Sequence, residues 1–372
     1  MTARPTETPR GASWPFVSVV LPCRNEEAYI GSCLESILAQ DYPPDRMEVL
    51  VVDGASEDRT RAIVDEWSRR DARVRLLENP KRIVPTGLNL AIREARGDVV
   101  ARIDAHTTFA PDYLRQGVLA LRRTGAANVG GPMVARGGGP VGDAIAAALN
   151  SPFGAGAYFH YGTEEREVDT VYLGMWPRRV FEEVGLFDEE LVRNQDDEFN
   201  YRLRKAGGRI FLVPTMRSSY QNRRDLRSLA RQFYEYGFWK VRVCQKHPRQ
   251  MSWRHFVPPA LVLALASPAL SWGVPPLGWL GLGGWAAYLA ALGGMTASIR
   301  RRAGAVGSFR WLPLALAVMH TAWGVGFLVG AVRFAGLWLG EEPVPPRLAT
   351  DVPGGAVRDR RSTSFGGEGC TW

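Results

Sequence analysis

The stretch GDVVARIDAHTTF sets an apolar run, Val99-Val100-Ala101, ahead of Arg102 and Ile103, then a carboxylate, Asp104, and two residues on an imidazole, His106. In extended backbone, positions i and i+2 share a face. A carboxylate beside an imidazole suits a divalent cation of intermediate hardness. Alone, the pair reads more readily as a loop with a turn-forming Asp. Other polar clusters change its weight. Arg24-Asn25-Glu26 follows the run FVSVVLP, and Asp53 ends MEVLVVD. Asp53 can accept from a base N–H, while Arg24 and Glu26 can address base and ribose. A cation at Asp104 and His106 can neutralise a diphosphate.

The elements that must position these groups alternate between two patterns. FVSVVLP (16–22), MEVLVVD (47–53), VRLLEN (74–79) and DVVARID (98–104) are β-branched or apolar runs that predict strands. Between them, Ile30, Cys33, Leu34, Ile37 and Leu38 recur at helical spacing, as do Ile63, Val64 and Trp67, then Leu88, Ile92 and Ala95. Gly97 is placed to cap the third helix. This alternation predicts an α/β fold: a mostly parallel sheet with helices on both faces, and ligands beyond the carboxyl ends of the strands. Three strand ends carry the polar clusters. PCRNEE, after the first strand, is neither GxGxxG nor GxxxxGK[ST], which disfavours dehydrogenases and P-loop phosphotransferases.

The chain has 372 residues and a formal net charge of +8. Four of its basic residues are Lys; the rest are Arg, with no dense basic tract interleaved with aromatics, so nucleic acid is not an expected partner. Cys23, Cys33, Cys244 and Cys370 match neither a zinc site nor a disulfide framework and read as free thiols. From Phe256 to Ile299 no Asp, Glu, Lys, Arg or His occurs. That predicts membrane crossings at about 256–272 and 275–299, turned at Pro275-Pro276, with a third at about 311–332. Arg242, Lys246, Arg249 and Arg254 precede the first crossing, and Arg300, Arg301, Arg302 and Arg310 follow the second. Both ends of that hairpin then lie on the cytosolic side. A full third crossing would carry Arg347, Arg358, Arg360 and Arg361 outside, against the positive-inside rule; the alternatives are a re-entrant third segment and a fourth crossing at 334–340. The expected organisation is a disordered tail 1–15, a catalytic domain 16–250, a membrane domain 251–340 and a disordered tail 341–372.

VSVVLPCRNEEAYIGSCLESILAQDYPPDRMEVLVVDGASEDRT resembles the opening of the family 2 glycosyltransferases with the GT-A fold. ARIDAH sits where that family carries its metal-binding Asp-x-Asp. VGLFDEELVRNQDDEFNYRLRKAG resembles its acceptor-side segment. The Asp-Ala-His variant, with a membrane tail behind the catalytic domain, looks closest to the succinoglycan glucosyltransferase-like subgroup. The resemblance implies a UDP-sugar donor bound by Pro22, Arg24, Asn25, Glu26, Asp53 and Asp104, with glucose the sugar the subgroup points to. It implies Mn²⁺ or Mg²⁺ at Asp104 and His106 as a Lewis acid for the departing diphosphate. It implies inversion at the anomeric carbon. Alignment on Arg202-Leu203 assigns the general base to Asp196. Gln195 stands where the family has Glu, and Asp197 and Glu198 follow. These three, with Trp176 and Gln232, are the acceptor-side candidates; for Trp176 core packing is the competing reading, and for Asp197 and Glu198 a solvated helix N-terminus.

The expected acceptor is a polyprenyl-diphosphate-linked saccharide at the inner face of the cytoplasmic membrane, in exopolysaccharide or cell-envelope glycan synthesis. The chain-holding Gln-x-x-Arg-Trp of processive synthases is replaced here by Gln232-Phe233-Tyr234-Glu235-Tyr236, which favours transfer of a single sugar. The competing readings are such a processive synthase, and a catalytically silent nucleotide-binding assembly subunit. The Gly-rich RGGGPVGD (136–143) reads as a mobile loop.

Overall fold

A computed structural model describes residues 13–270, 275–303 and 309–337; residues 1–12 of the expected tail 1–15, and the expected tail 341–372 with Cys370, lie outside these residues. The first half alternates as expected: β1 (Val17–Cys23), α1 (Ile30–Leu38), β2 (Met47–Asp53), α2 (Thr60–Arg70), β3 (Val74–Glu78), α3 (Val84–Glu94) and β4 (Val99–Arg102). It continues through β5 (Thr107–Phe109), α4 (Tyr113–Thr124), β6 (Asn128–Gly130), β7 (Met133–Arg136), α5 (Gly139–Leu149), β8 (Arg166–Glu167), β9 (Met175–Pro177), α6 (Arg179–Glu183), α7 (Gln195–Lys205), β10 (Ile210–Leu212), β11 (Ser218–Gln221) and α8 (Leu226–Lys246).

The main sheet has the order β3-β2-β1-β4-β9-β6-β10-β8. β3, β2, β1 and β4 are parallel, and β9 runs antiparallel between β4 and β6. Side-chain alternation along β1 sorts the core. Val17, Val19 and Leu21 pack toward α1 and α4, while Val20 packs with α3 and α7 on the other face. Four of the five residues read from the spacing of α1 are buried, Ile30, Cys33, Leu34 and Ile37, and the fifth, Leu38, is half-buried. A smaller sheet, β5-β11-β7, lies beside the end of β4.

Several local expectations are corrected. The fourth strand ends at Arg102, so Asp104 and His106 are not alternate residues of a strand. They lie in a turn between β4 and β5, closed by the Thr107 amide donating to the Asp104 carbonyl at 3.0 Å. Gly97 does not cap α3, which ends at Glu94. Its lack of a side chain serves close approach instead, since a Cβ there would stand 2.6 Å from the Ser18 amide nitrogen. RGGGPVGD does not form a free loop: it ends β7 and opens α5.

Beyond α8 come α9 (Val257–Ala266), α10 (Pro275–Ala303) and α11 (Leu312–Arg333). The crossing expected at 256–272 meets a ten-residue helix followed by a 3₁₀ turn, Ser267–Leu270. At 1.5 Å per residue, α9 rises about 15 Å, half the thickness of a bilayer core. Among the described residues, α11 is the helix long and apolar enough to cross a membrane by length and composition. It lies against α8 through glycines: a Cβ on Gly326 would stand 2.1 Å from the Tyr234 carbonyl oxygen, and one on Gly237 2.0 Å from that of Trp323. Large apolar side chains left exposed concentrate in this region, among them Trp253, Phe256, Leu263, Trp279, Leu282 and Leu289.

Candidate active site

β1 and β2 end side by side, Cys23 in register with Asp53, and their loops interlock beyond the sheet. Asn25 adopts φ of 55°, a left-handed conformation that Asn tolerates. Its amide donates to Ser56 Oγ (2.9 Å), and its Oδ1 accepts from the Glu57 amide (2.8 Å). The Glu26 amide donates to Thr60 Oγ1 at 2.7 Å. Asp53 is buried, and its carboxylate accepts from the Ser56 amide at 3.2–3.3 Å. Arg24 points outward to Glu57, and Pro22 is half-buried in β1. Glu26 turns away from this group: its Oε1 lies 2.9 Å from His106 Nδ1.

That contact bears on whether the turn fits a cation. A carboxylate accepting from Nδ1–H fixes the imidazole tautomer that leaves a lone pair on Nε2, the arrangement behind many metal-ligating histidines. The Tyr220 ring meets the imidazole edge-on, with centroids 5.2 Å apart, and holds its plane. Asp104 takes Arg102 Nε on Oδ1 (3.1 Å) and Nη2 on Oδ2 (3.4 Å), leaving lone pairs on both oxygens. Among the described residues no three His, Cys, Asp or Glu side chains gather into a metal cage. Asp104 and His106 thus offer one carboxylate and one imidazole, donor types that a divalent cation of intermediate hardness takes.

Arg102 is the residue that the sequence reading passed over. It is buried, and besides its fork on Asp104 it directs Nη1 toward Asp196 Oδ2, at 3.9 Å. Nη1 has no hydrogen-bond partner. One buried guanidinium thus joins the Asp104–His106 turn to the first turn of α7. The signal was an Arg set inside an otherwise apolar strand, a position that burial makes costly unless the charge is paired.

Asp196 opens into the cleft, its side chain 42 % exposed, yet stands among protein groups. Burial raises its pKa; Arg102 opposes the rise and neighbouring Asp197 adds to it. Its Oδ1 accepts from the Asp197 amide at 3.0 Å. Asp197 points elsewhere, as one helical step of about 100° requires, and its Oδ2 takes Lys240 Nζ at 2.5 Å. The helix is fastened to α8 at further points. Arg193 Nε donates to Glu235 Oε2 (2.9 Å), and Asn194 Nδ2 to the Tyr236 carbonyl (2.9 Å). His247 Nε2 lies 2.9 Å from Glu198 Oε1.

The acceptor-side candidates separate. Trp176 is 1 % exposed and packs edge-on against Phe181, Phe187 and Phe199; it is a core residue and offers no face to a sugar. Glu198 is likewise buried, neither solvated nor open to an acceptor. Burial alone would raise its pKa, but hydrogen bonds from His247 and Arg202 outweigh this and hold it below the usual range. Gln195 is buried at the start of α7. Gln232 reaches the site, donating to Tyr236 Oη at 2.8 Å, close to Tyr220.

The sheet, the acidic turn at its open end and the carboxylate-bearing helix facing it define a nucleotide-diphospho-sugar transferase of the GT-A fold. Residues 18–185 match the model of glycosyl transferase family 2. The succinoglycan biosynthesis protein ExoA of Rhizobium meliloti (strain 1021) is 33 % identical over 316 residues, 83 % of this chain and 93 % of that protein. The chain belongs to glycosyltransferase family 2 and is a glycosyltransferase. The dolichyl N-acetyl-alpha-D-glucosaminyl phosphate 3-beta-D-2,3-diacetamido-2,3-dideoxy-beta-D-glucuronosyltransferase of Methanococcus voltae is 29 % identical over 64 % of this chain and 77 % of its own length. The mannosyltransferase PcManGT from Pyrobaculum calidifontis, solved with GDP-Man and Mn²⁺, shares the fold with a TM-score of 0.56 and 22 % identity, over 87 % of this chain and 90 % of that one.

Proposed function

We propose that the chain moves one hexose, with inversion, from a UDP-sugar to a saccharide carried on a polyprenyl diphosphate, at the inner face of the cytoplasmic membrane. The observation that carries this reading is Arg102, set between the donor-side carboxylate Asp104 and Asp196 on the opposite wall. Asp53 and the interlocked loops around Asn25 receive the uridine, and Arg102 holds Asp104 toward the diphosphate. Asp196 removes the proton from the acceptor hydroxyl as that oxygen attacks the anomeric carbon, and burial brings its basicity nearer to neutral pH. A divalent cation, Mn²⁺ or Mg²⁺, held by Asp104 and His106 would offset the charge on the leaving diphosphate. Lys240 keeps Asp197 out of this role. The exposed apolar surface between residues 253 and 289 supports attachment to a bilayer, which turns the search for a lipid-linked acceptor into a local one.

The test supplies purified protein with UDP-, GDP- and ADP-sugars and a membrane lipid extract, and follows nucleoside diphosphate release. UDP release that needs both the extract and a divalent cation is expected. Release confined to a purine nucleotide, or UDP binding without transfer from any donor, would refute the proposal.

A further inference from the structure

α8 shows two different faces. Gln232, Glu235 and Tyr236, at i, i+3 and i+4, look toward the active site: Glu235 holds Arg193, and Gln232 and Tyr236 stand by Tyr220, whose ring orients His106. About 145° away on the same turns, Ala230, Arg231 and Tyr234 face Val318, Ala322 and Val325 of α11 across an open groove of about 410 Å³. The groove is apolar. Thr321 also lines it, but its hydroxyl donates to the Ala317 carbonyl at 2.7 Å.

The first turns of α8 and the loop before it are strongly basic, and Arg231 lines the groove. Arg223, Arg224, Arg227 and Arg231 are all exposed, and Arg227 and Arg231 are one helical turn apart. Among the described residues none of the four makes an ion pair; Arg223 touches Gln232, at 3.4 Å. The acid in their midst, Asp225, is engaged as the helix cap, accepting from the Ser228 amide and hydroxyl at 2.8 Å. Exposed arginines that close no direct ion pair, with Arg231 lining an apolar groove and Arg227 one turn before it, match a ligand with two or more negative charges on an apolar chain.

We propose that this groove binds the isoprenoid chain of the acceptor, with Arg227 and Arg231 holding its diphosphate. The inference rests on the transferase reading above and adds where the lipid lies. The shared helix then explains how a saccharide on that diphosphate reaches Asp196, because the lipid-binding face and the site-lining face belong to the same turns of α8.

The experiment measures binding of farnesyl diphosphate to the full chain in detergent micelles, with Mn²⁺-dependent UDP binding measured in parallel. Arg227→Gln with Arg231→Gln removes the charge, and Ala322→Trp fills the groove. Each is expected to weaken farnesyl diphosphate by about tenfold or more while UDP affinity stays at the wild-type value. Equal affinity for farnesyl diphosphate in wild type and both variants would overturn the proposal. So would competition by phosphatidylglycerol vesicles at equal phosphate, which would mark a general anionic-lipid surface. Wild-type KM for the lipid-linked acceptor in both variants would overturn the groove and leave the transferase reading intact. Groove-dependent probe binding in a protein that transfers no sugar would uphold the binding site and remove the transferase reading instead.

Discussion

Replacing Arg102 by Gln takes away the charge that faces Asp196. At 3.9 Å and an effective dielectric constant of about 20, two unit charges interact by about 4 kcal/mol. Undiminished, that equals about three pKa units. Asp196 keeps 42 % of its side chain open, so water screens the pair and a fraction of that interaction survives. The sign is set by chemistry. The base acts only when ionised, and Arg102 favours the ionised form. Its removal raises the Asp196 pKa further, so activity is lost at a higher pH as the solution is acidified. The assay is kcat against pH, read by UDP release at saturating donor. The acid limb of Arg102→Gln is expected to move to higher pH, by less than the undiminished interaction would give. Arg102→Lys keeps the charge but loses the fork on Asp104, so its limb stays near the wild type while KM for the donor rises. An unmoved limb in Arg102→Gln would refute the electrostatic link between Arg102 and the base.

Other outcomes follow from the same geometry. Asp196→Asn should lower kcat by ~10²–10⁴ with UDP affinity retained, measured by transfer and calorimetry together; Asp197→Asn should cost far less, its partner being Lys240. Asp104→Asn and His106→Ala should each weaken Mn²⁺-dependent UDP binding and transfer in parallel, and excess chelator should do the same to the wild type. Trp176→Ala opens a cavity among Phe181, Phe187 and Phe199 and should destabilise the fold by about 3–5 kcal/mol in chemical denaturation, with donor affinity unchanged per folded molecule.

The strands were readable because short β-branched runs bounded by polar residues carry their own signal. β1 to β4 appear within a residue or two of their expected limits, and so does the cluster of polar residues at their ends. The Asp104–His106 turn was not readable. Alternation says where a strand's side chains point only while the strand lasts, and this one stops at Arg102. Lys240 escaped for another reason: it is 43 residues from Asp197, and only the docking of α8 on α7 brings them together. Trp176 illustrates a general ambiguity, since an aromatic beside a site motif has the same composition whether it faces a sugar or three phenylalanines. Apolar content between residues 256 and 299 was plain, but helix length was not, because the α-helix gives way to a 3₁₀ turn after Ala266.

The most direct test of the central claim is the anomeric configuration of the transferred sugar. Wild-type protein is given an α-linked UDP-hexose, lipid-linked acceptor and Mn²⁺, and the product's anomeric proton is read by NMR. Attack by an acceptor oxygen deprotonated at Asp196, on the face opposite the diphosphate, predicts a β-linked product that Asp196→Asn fails to form. An α-linked product, or β-linked product formed at the wild-type rate by Asp196→Asn, would contradict it.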